Sequence, residues 1–188
     1  MSQRFDIQTT PLAGLTVTQR QVIGDSRGQF SRLYCYDELG RYGFEQTISQ
    51  INHSFTAVQG TVRGLHFQYP PYAETKIVTC LRGEIFDVAV DLRADSPTFL
   101  QWHGEVLSAG NCKSLCIPEG FAHGFQTLTG ECELLYLHTA AYCPEAEGAL
   151  HVQDPKLGIP WPLPIAELSD RDRHHSFIQD SQFSGVSV

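Results

Sequence analysis

Apolar and polar residues alternate most regularly between positions 84 and 92. The apolar side chains of this run share one face, whereas two acidic side chains, Asp87 and Asp91, share the other. The apolar members are Phe86, Val88, Val90 and Leu92. Because successive side chains of a strand point to opposite faces, this pattern predicts a β-strand with one buried face and one exposed face.

Further short runs rich in Val, Ile, Phe and Tyr recur along the chain, separated by Gly, Pro, Asn and Asp. Their spacing is typical of an all-β sandwich or barrel. They lie at 15–22, 47–51, 61–68, 76–81, 114–117, 125–128 and 133–138. Helix is expected only in short pieces, at 36–41 and after 161–164. In the second piece, Ser169 is predicted to cap a helix and Asp172 to return the hydrogen bond.

The chain has 188 residues and a formal net charge of -8. This length suits one domain with a substantial core, and we find no internal repeat or long linker. We therefore expect a single domain spanning 1–188, with its core at about 15–160 and a C-terminal helical segment at 165–188. The negative charge disfavours nucleic acid as a partner, since binding a phosphate backbone requires a basic surface.

The cysteines and the N-terminal sequence bear on the cellular compartment. The six cysteines form no Cys-x-x-Cys pair, and the first residues lack an apolar export segment. No segment has the length needed to cross a bilayer. These features predict a cytoplasmic protein with reduced thiols and no membrane partner.

Candidate chemistry lies in two motifs, at 64–68 and 118–125, that are similar to the two metal-binding motifs of a cupin barrel. His66 occupies the position of the first histidine ligand and His123 that of the last. Gln68 replaces the second histidine, and Lys76 stands where such proteins have a carboxylate. An ammonium group repels a cation and an amide is a weak ligand for zinc or iron. We therefore predict a pocket without a metal.

A histidine, a lysine and nearby arginines suit a reaction in which a base removes a proton beside a carbonyl and a cation stabilises the enolate. Alternation places His66 and Gln68 on one face of their strand, and Tyr136 and His138 on one face of another. By the same alternation Arg63 lies on the opposite face of the strand from His66, unless Gly64 marks a bulge that redirects the Arg63 side chain.

Several motifs in order make the chain resemble the dTDP-4-dehydrorhamnose 3,5-epimerase family. They lie at 25–28, 52–54, 63–68, 83–93, 96–99, 117–125 and 154–155. The resemblance implies a double-stranded β-helix, also called a cupin or jelly-roll barrel, with short flanking helices. It also implies a homodimer with exchanged strands, no cofactor, and a nucleotide-linked 4-keto-6-deoxyhexose as substrate.

The resemblance further implies roles for individual residues. His66 would be the base, Asp172 its orienting carboxylate, Lys76 the enolate stabiliser and Tyr136 the acid. Asp172 thus has two competing interpretations, because the local sequence alone favours a helix cap. The residues implied to bind the sugar, the diphosphate or the base are Arg27, Gln50, Asn52, Arg63, Gln68, His123 and Tyr142.

Three positions depart from the family pattern. Arg32 stands where many members have glutamate, Leu137 where they have lysine, and Ala141 where they have the first of two tyrosines. Arg32 and Ala141 lie in segments associated with the nucleoside, so a CDP- or GDP-linked sugar is an alternative substrate. Leu137, beside Tyr136, leaves open whether C3, C5 or both are epimerised. A 3,4-ketoisomerase and a non-catalytic sugar-nucleotide binding module are further alternatives.

Overall fold

The computed structural model describes residues 4–40 and 44–188, and these residues fold mainly into antiparallel strands. The strands are β1 (Phe5–Thr9), β2 (Thr16–Arg20), β3 (Val22–Asp25), β4 (Gly28–Ser31), β5 (Gln50–Thr56), β6 (Val62–Gln68), β7 (Lys76–Arg82), β8 (Glu84–Asp91), β9 (Trp102–Ser108), β10 (Lys113–Ile117), β11 (Phe121–Thr127), β12 (Cys132–His138) and β13 (Glu147–Ala149). The helices α1 (Tyr36–Leu39) and α2 (Asp170–Arg173) are short, as are the 3-10 turns Pro144–Ala146 and Ile178–Asp180. This confirms the prediction of an all-β fold with short helices.

Two sheets form the body of the protein. One has six strands in the order β1-β2-β10-β7-β12-β5, and the other has five in the order β13-β6-β11-β8-β9. The strands β3 and β4 pair separately as a hairpin. Apart from the neighbours β1 and β2, strands from the two halves of the chain alternate within each sheet, as in a double-stranded β-helix.

The inner faces of the two sheets pack against each other through buried apolar side chains. Val78 and Leu134 of the six-stranded sheet belong to the same cluster as Ile85 and Phe125 of the five-stranded sheet. All four are at most 2% exposed. This cluster holds the two sheets together and leaves polar side chains to line the remaining space between them.

The outer faces are covered as well. Segments from the C-terminal part of the chain, including Leu157 and Ile178, pack against Val88 and Val90 of the five-stranded sheet. Near the N-terminus, Leu39 of α1 joins a cluster on the six-stranded sheet. Each sheet is therefore buried on both sides over much of its area.

The covered outer face of the five-stranded sheet explains why one prediction about β8 is wrong. Asp87 and Asp91 were predicted to lie on an exposed face, but both are 0% exposed. The apolar face of β8 meets the C-terminal segment, whereas Asp87 points between the sheets and accepts a hydrogen bond from His123. Asp91 is satisfied by Arg93, Ser96 and Thr98. The alternation was correct, but the acidic face is the interior one.

Other element boundaries differ from the sequence predictions. The strand predicted at 47–51 is Gln50–Thr56, and the run predicted at 15–22 contains β2 but only the first residue of β3. The prediction missed β1, β4, β9, β13 and the rest of β3. The helix predicted at 36–41 ends at Leu39, and Arg41 lies outside the described residues. No helix in the described part of the chain has the length and apolar character needed to span a membrane.

Candidate active site

A cavity of about 880 Å³ lies between the two sheets. The six-stranded sheet contributes Asn52, Ser54, Lys76, Tyr136 and His138, and the five-stranded sheet contributes Val62, Arg63, His66, His123 and Phe125. The C-terminal segment closes the lining with Glu167, Arg171, Asp172 and Arg173 among others. The cavity therefore brings together side chains that are far apart in the sequence.

His66 on β6 and Asp172 on α2 form a close pair in this cavity. The distance from His66 Nε2 to Asp172 Oδ1 is 2.7 Å. An ionised carboxylate can only accept, so Nε2 carries the proton and Nδ1 keeps a lone pair. Burial alone would raise the pKa of Asp172, but the hydrogen bond and charge of His66 hold it below its usual value. The pair is thus an imidazole with a fixed tautomer and a free basic nitrogen.

Helix α2 delivers Asp172 to this position. The Ser169 side chain accepts a hydrogen bond of 3.0 Å from the Asp172 backbone N–H, as predicted for an N-cap. The Asp172 carboxylate was expected to return that bond, but it faces His66 and the backbone N–H of Gly64 instead. The capping-box interpretation of Asp172 is therefore wrong, while the cap at Ser169 is confirmed.

A bulge at Gly64 turns Arg63 towards the cavity. Strand β11 pairs His123 with His66 but Phe125 with Arg63, so β6 has one residue more than β11 over this stretch. Gly64 adopts φ +125°, and a Cβ there would lie 2.5 Å from Gly124 Cα. The alternative of a bulge is confirmed, and both Arg63 and His66 line the same cavity.

Lys76 on β7 is held by Glu74, a residue that was not predicted from the sequence. Lys76 Nζ lies 2.7 Å from Glu74 Oε1, and Glu74 Oε2 lies 2.8 Å from His138 Nδ1. Burial would raise the pKa of Glu74, but His138 and Lys76 outweigh this effect and lower it to about 2. A mostly buried, ionised carboxylate thus lies behind the lysine of the cavity.

Tyr136 on β12 faces the cavity from the same sheet as Lys76. Its hydroxyl shares a hydrogen bond of 3.1 Å with Ser54 Oγ, and its ring stacks on His138 with centroids 6.1 Å apart. Burial raises the pKa of the Tyr136 phenol. The hydroxyl therefore stays protonated near neutral pH and can act as a proton donor. The predicted shared face of Tyr136 and His138 is the inner one.

His123 forms a second histidine–carboxylate pair. Its Nε2 lies 2.7 Å from Asp87 Oδ1, and both side chains are buried. Burial raises the pKa of Asp87, and the charge and hydrogen bond of His123 offset this only in part. This pair sits deeper than the pair of His66 and Asp172.

Three arginines give the cavity cationic character. Arg63, Arg171 and Arg173 all line it, although only Arg63 was predicted from the sequence. Arg171 also forms an ion pair with Glu147. The signal that could have found Arg171 and Arg173 is their position on either side of Asp172. Planar guanidinium groups bind phosphate oxygens through paired hydrogen bonds, so this set suits a phosphorylated ligand.

Comparison with known proteins decides the family. The family model for dTDP-4-dehydrorhamnose 3,5-epimerase matches residues 9–180. The chain belongs to the dTDP-4-dehydrorhamnose 3,5-epimerase family. The predicted family and epimerase class are therefore confirmed.

Individual members of the family are similar over most of their length. The dTDP-4-dehydrorhamnose 3,5-epimerase of Salmonella typhimurium is 45% identical over 167 residues, covering 87% of this chain and 90% of that protein. A crystal structure of the Legionella pneumophila 3,5-epimerase, in complex with dTDP-4-keto-L-rhamnose, has a TM-score of 0.88 and 37% identity, covering 93% of each chain. A 3'-monoepimerase from Streptomyces bikiniensis, with dTDP-quinovose, has a TM-score of 0.82 and 28% identity, covering 89% of this chain and 85% of that one. These matches also confirm the predicted cupin-type barrel.

Four residues expected from the family to bind substrate lie outside the cavity lining. Arg27 is at the tip of the β3–β4 hairpin, where its side chain is 88% exposed and pairs with Asp25. Gln50 donates to Asn52, and Gln68 bonds to backbone groups of Tyr72, Ala141 and Cys143. The Tyr142 hydroxyl donates to Glu147. The substrate roles of these four residues stay predictions.

The three departures from the family pattern also lie outside the lining. Arg32 pairs with Glu38 on the surface, and the Ala141 carbonyl accepts a bond from Gln68. Leu137 is 3% exposed and packs in the outer cluster of the six-stranded sheet. Because Leu137 points to the opposite face of β12 from Tyr136, it lies away from the part of the cavity that Tyr136 lines.

Among the described residues, His66, Asp172 and His175 offer ligand atoms within 4.8 Å of one another. Two of these atoms already share the hydrogen bond of the His66–Asp172 pair. A cation here would have to displace the proton of that bond. Gln68 and Lys76, at the two other ligand positions of the cupin motif, are engaged elsewhere. Gln68 bonds to the backbone, and Lys76 is paired with Glu74.

Proposed function

We propose that this protein epimerises dTDP-4-dehydro-6-deoxyglucose at C3 and C5 through an enolate. The observation that carries the proposal is the arrangement of groups across one cavity. The pair of His66 and Asp172 lies beside the five-stranded sheet, and Lys76 and Tyr136 project from the six-stranded sheet. A sugar ring between the sheets would meet a base on one side and an acid on the other.

Proton abstraction would begin at His66. Its Nδ1 accepts the proton from the carbon next to the ketone. The electron pair of the C–H bond then forms the C=C bond of the enolate, and the π pair of the ketone moves to its oxygen. The Lys76 ammonium stabilises the negative charge that forms on this oxygen. The resulting imidazolium is stabilised by the Asp172 carboxylate, 2.7 Å from Nε2.

Inversion would be completed by Tyr136. Its phenol donates a proton to the same carbon from the opposite side, and the enolate electrons return to form the ketone. The phenolate and the imidazolium then exchange protons with solvent, so no proton is gained or lost overall. Because the 4-ketone acidifies both flanking carbons, the same groups can act at C3 and C5.

The diphosphate would bind to the arginines of the cavity. Arg63, Arg171 and Arg173 supply positive charge in an otherwise acidic protein, and Asn52 adds a polar contact. This set favours a nucleotide-linked sugar over a free sugar. The thymine nucleotide is the expected form, with CDP- and GDP-linked sugars as alternatives. No cofactor is required by this chemistry.

The assembly we propose is a homodimer in the cytoplasm. Strand β5 is an edge strand with exposed apolar side chains, Ile51 at 61% and Phe55 at 48%. Phe30 on the β3–β4 hairpin is 68% exposed. Pairing with a second copy would bury these side chains and could bring Arg27 to a neighbouring cavity. Light scattering coupled to size exclusion should give twice the monomer mass of 21.0 kDa.

Incubation with dTDP-4-dehydro-6-deoxyglucose in deuterium oxide tests the reaction. We expect deuterium at C3 and C5, detected by mass and NMR, and no exchange with the free sugar. Exchange at one carbon would indicate a monoepimerase. Exchange only with a CDP- or GDP-linked sugar would show that the substrate carries that nucleotide instead of dTDP. A migrated carbonyl would indicate a ketoisomerase. Binding without exchange would indicate a non-catalytic module.

A further inference from the structure

One buried carboxylate holds two side chains that face the cavity. Glu74 Oε1 lies 2.7 Å from Lys76 Nζ, and Glu74 Oε2 lies 2.8 Å from His138 Nδ1. The three side chains are only 8–12% exposed. Lys76 and His138 are also direct partners across β7 and β12. Glu74 therefore holds the side chains of Lys76 and His138 from a position outside the cavity lining.

The charge of Glu74 determines the proton on His138. With its pKa at about 2, Glu74 is ionised and can only accept hydrogen bonds. Nδ1 of His138 must then be the donor, and in the neutral ring Nε2 keeps its lone pair. This tautomer presents an acceptor, rather than a donor, on the side of the ring away from Glu74.

The remaining partner of His138 agrees with this tautomer. Asn52 Nδ2 lies 3.4 Å from His138 Nε2, and Asn52 Oδ1 accepts a bond of 3.0 Å from Gln50 Nε2. Gln50 Oε1 in turn accepts a bond of 3.0 Å from the Tyr142 backbone N–H. Each link pairs one donor with one acceptor. A continuous chain of hydrogen bonds therefore runs from Tyr142 to Glu74, where it meets Lys76.

We propose that Glu74 is a positioning residue that holds the Lys76 ammonium in place and, through His138, fixes Asn52 and Gln50 for substrate binding. The role at Lys76 rests on the proposed function, in which that ammonium stabilises the enolate. The role at His138 depends only on the hydrogen bonds. Glu74 thus couples the group that stabilises the enolate to the residues expected to bind the nucleotide sugar.

Replacing Glu74 by glutamine changes both contacts of this side chain at once. The amide has one oxygen, which the Lys76 ammonium attracts, and one NH2 group, which must then face His138. An NH2 group donates, so Nδ1 becomes an acceptor and the proton moves to Nε2. Both His138 Nε2 and Asn52 Nδ2 would then be donors, and their contact would break.

The experiment combines nitrogen NMR of the histidines with deuterium-exchange kinetics. At alkaline pH we expect the 15N shifts of His138 to show a proton on Nδ1 in the wild type and on Nε2 in Glu74→Gln. For the same variant we expect kcat to fall about 100-fold, because a neutral amide oxygen holds the Lys76 ammonium less firmly than the carboxylate does and the productive geometry is lost. His138→Gln keeps the ion pair of Glu74 and Lys76, so its main effect should be a higher KM.

Glu105 provides the matched control. It also contacts a lysine and a histidine, with Lys113 Nζ at 2.7 Å and His103 Nε2 at 3.5 Å, but it lies outside the cavity lining. Glu105→Gln should leave kcat and KM unchanged and should leave the proton on His138 Nδ1. A fall in kcat equal to that of Glu74→Gln would mean that loss of any such carboxylate lowers activity, which would overturn the proposal.

Different results would refute the proposed function and the positioning role of Glu74. A wild-type protein that exchanges no deuterium with any nucleotide sugar refutes the proposed function, while the tautomer of His138 still tests the hydrogen-bond chain. A wild-type enzyme that is active but carries the His138 proton on Nε2 overturns the positioning role. Normal kcat in Glu74→Gln overturns it as well. Should that variant fail to fold, the wild-type tautomer and the KM of His138→Gln decide the matter.

Discussion

Two histidine–carboxylate pairs with the same geometry face each other across adjacent strands of the five-stranded sheet. His66 and His123 are register partners of β6 and β11, and each places Nε2 2.7 Å from a carboxylate oxygen. The two histidines differ in solvent exposure. The His66 side chain is 34% exposed, whereas that of His123 is 8% exposed.

The difference shows that the pairing alone does not define a base. Asp172 arrives on a terminal helix, and its pKa is held down by His66, so its charge is stable beside the cavity. Asp87 is fully buried, and burial raises its pKa. We infer that the exposed pair moves protons and that the buried pair supports the sheet and the cavity wall. Separate replacements should distinguish the two pairs.

Apart from loss of His66 itself, the largest effect is expected from Asp172→Asn. The amide can place its NH2 group towards Nε2 of His66, which moves the histidine proton to Nδ1 and removes the basic nitrogen from the cavity. We expect kcat for deuterium exchange to fall about 1,000-fold, with the fold unchanged by circular dichroism. Asp170→Asn, an exposed acid on the same helix, should retain wild-type kcat. Equal loss in both variants would contradict the role of Asp172.

The buried pair should respond through stability instead. His123→Asn leaves Asp87 without its histidine, and we expect the free energy of unfolding to fall by about 4 kcal/mol in urea titrations. Asp87→Asn combined with His123→Asn removes the buried charge and should recover part of that loss. A double variant as unstable as the sum of the single variants would show that the two residues act independently.

A third test concerns the bulge that directs Arg63 and His66 to one cavity. Gly64→Ala would place a Cβ 2.5 Å from Gly124 Cα at a backbone angle of φ +125°. We expect a loss of about 3 kcal/mol in the free energy of unfolding. Gly28→Ala has a similar φ of +138° but meets no atom within 4 Å, so it isolates the backbone strain. Equal losses in both variants would mean that the contact with Gly124 is unimportant.

A stability effect that is lost on acidification is expected from the third pair, Glu74 and His138. The pKa of Glu74 falls from 4.5 to about 2 on folding. A depressed carboxyl pKa stabilises the folded state above the unfolded value and loses that effect as the pH falls through the folded value. The free energy of unfolding of the wild type should therefore exceed that of Glu74→Gln by about 3 kcal/mol above pH 4.5, with the difference vanishing near pH 2. A difference that grows on acidification would contradict the ionised state of Glu74.

The exposed pair was more accessible to sequence reasoning than the buried one. His66 and Tyr136 lie on strands whose alternation is local, so their shared faces with neighbouring residues could be read directly. The glycine at position 64 signalled the bulge, and Ser169 signalled the helix start. Resemblance to the family, rather than local chemistry, pointed to Asp172 as the partner of His66.

The residues that sequence reasoning missed depend on distant contacts. Asp87 lay on the correct face of β8, but nothing local showed that the C-terminal segment covers the other face. Glu74 precedes β7, and its partner His138 lies 64 residues away. Arg171 faces the cavity because α2 docks beside β6. Strand pairing and docking of the C-terminal segment decide these positions.

The central claim is that His66 is the base, and His66→Asn tests it most directly. Asparagine keeps a polar side chain near Asp172 but cannot take up the proton. Deuterium incorporation from solvent should be followed at C3 and C5 of dTDP-4-dehydro-6-deoxyglucose, alongside calorimetry of dTDP binding, with His103→Asn as the control histidine. We predict unchanged dTDP affinity and no exchange in His66→Asn, and normal exchange in His103→Asn. Exchange at the wild-type rate in His66→Asn would contradict the assignment.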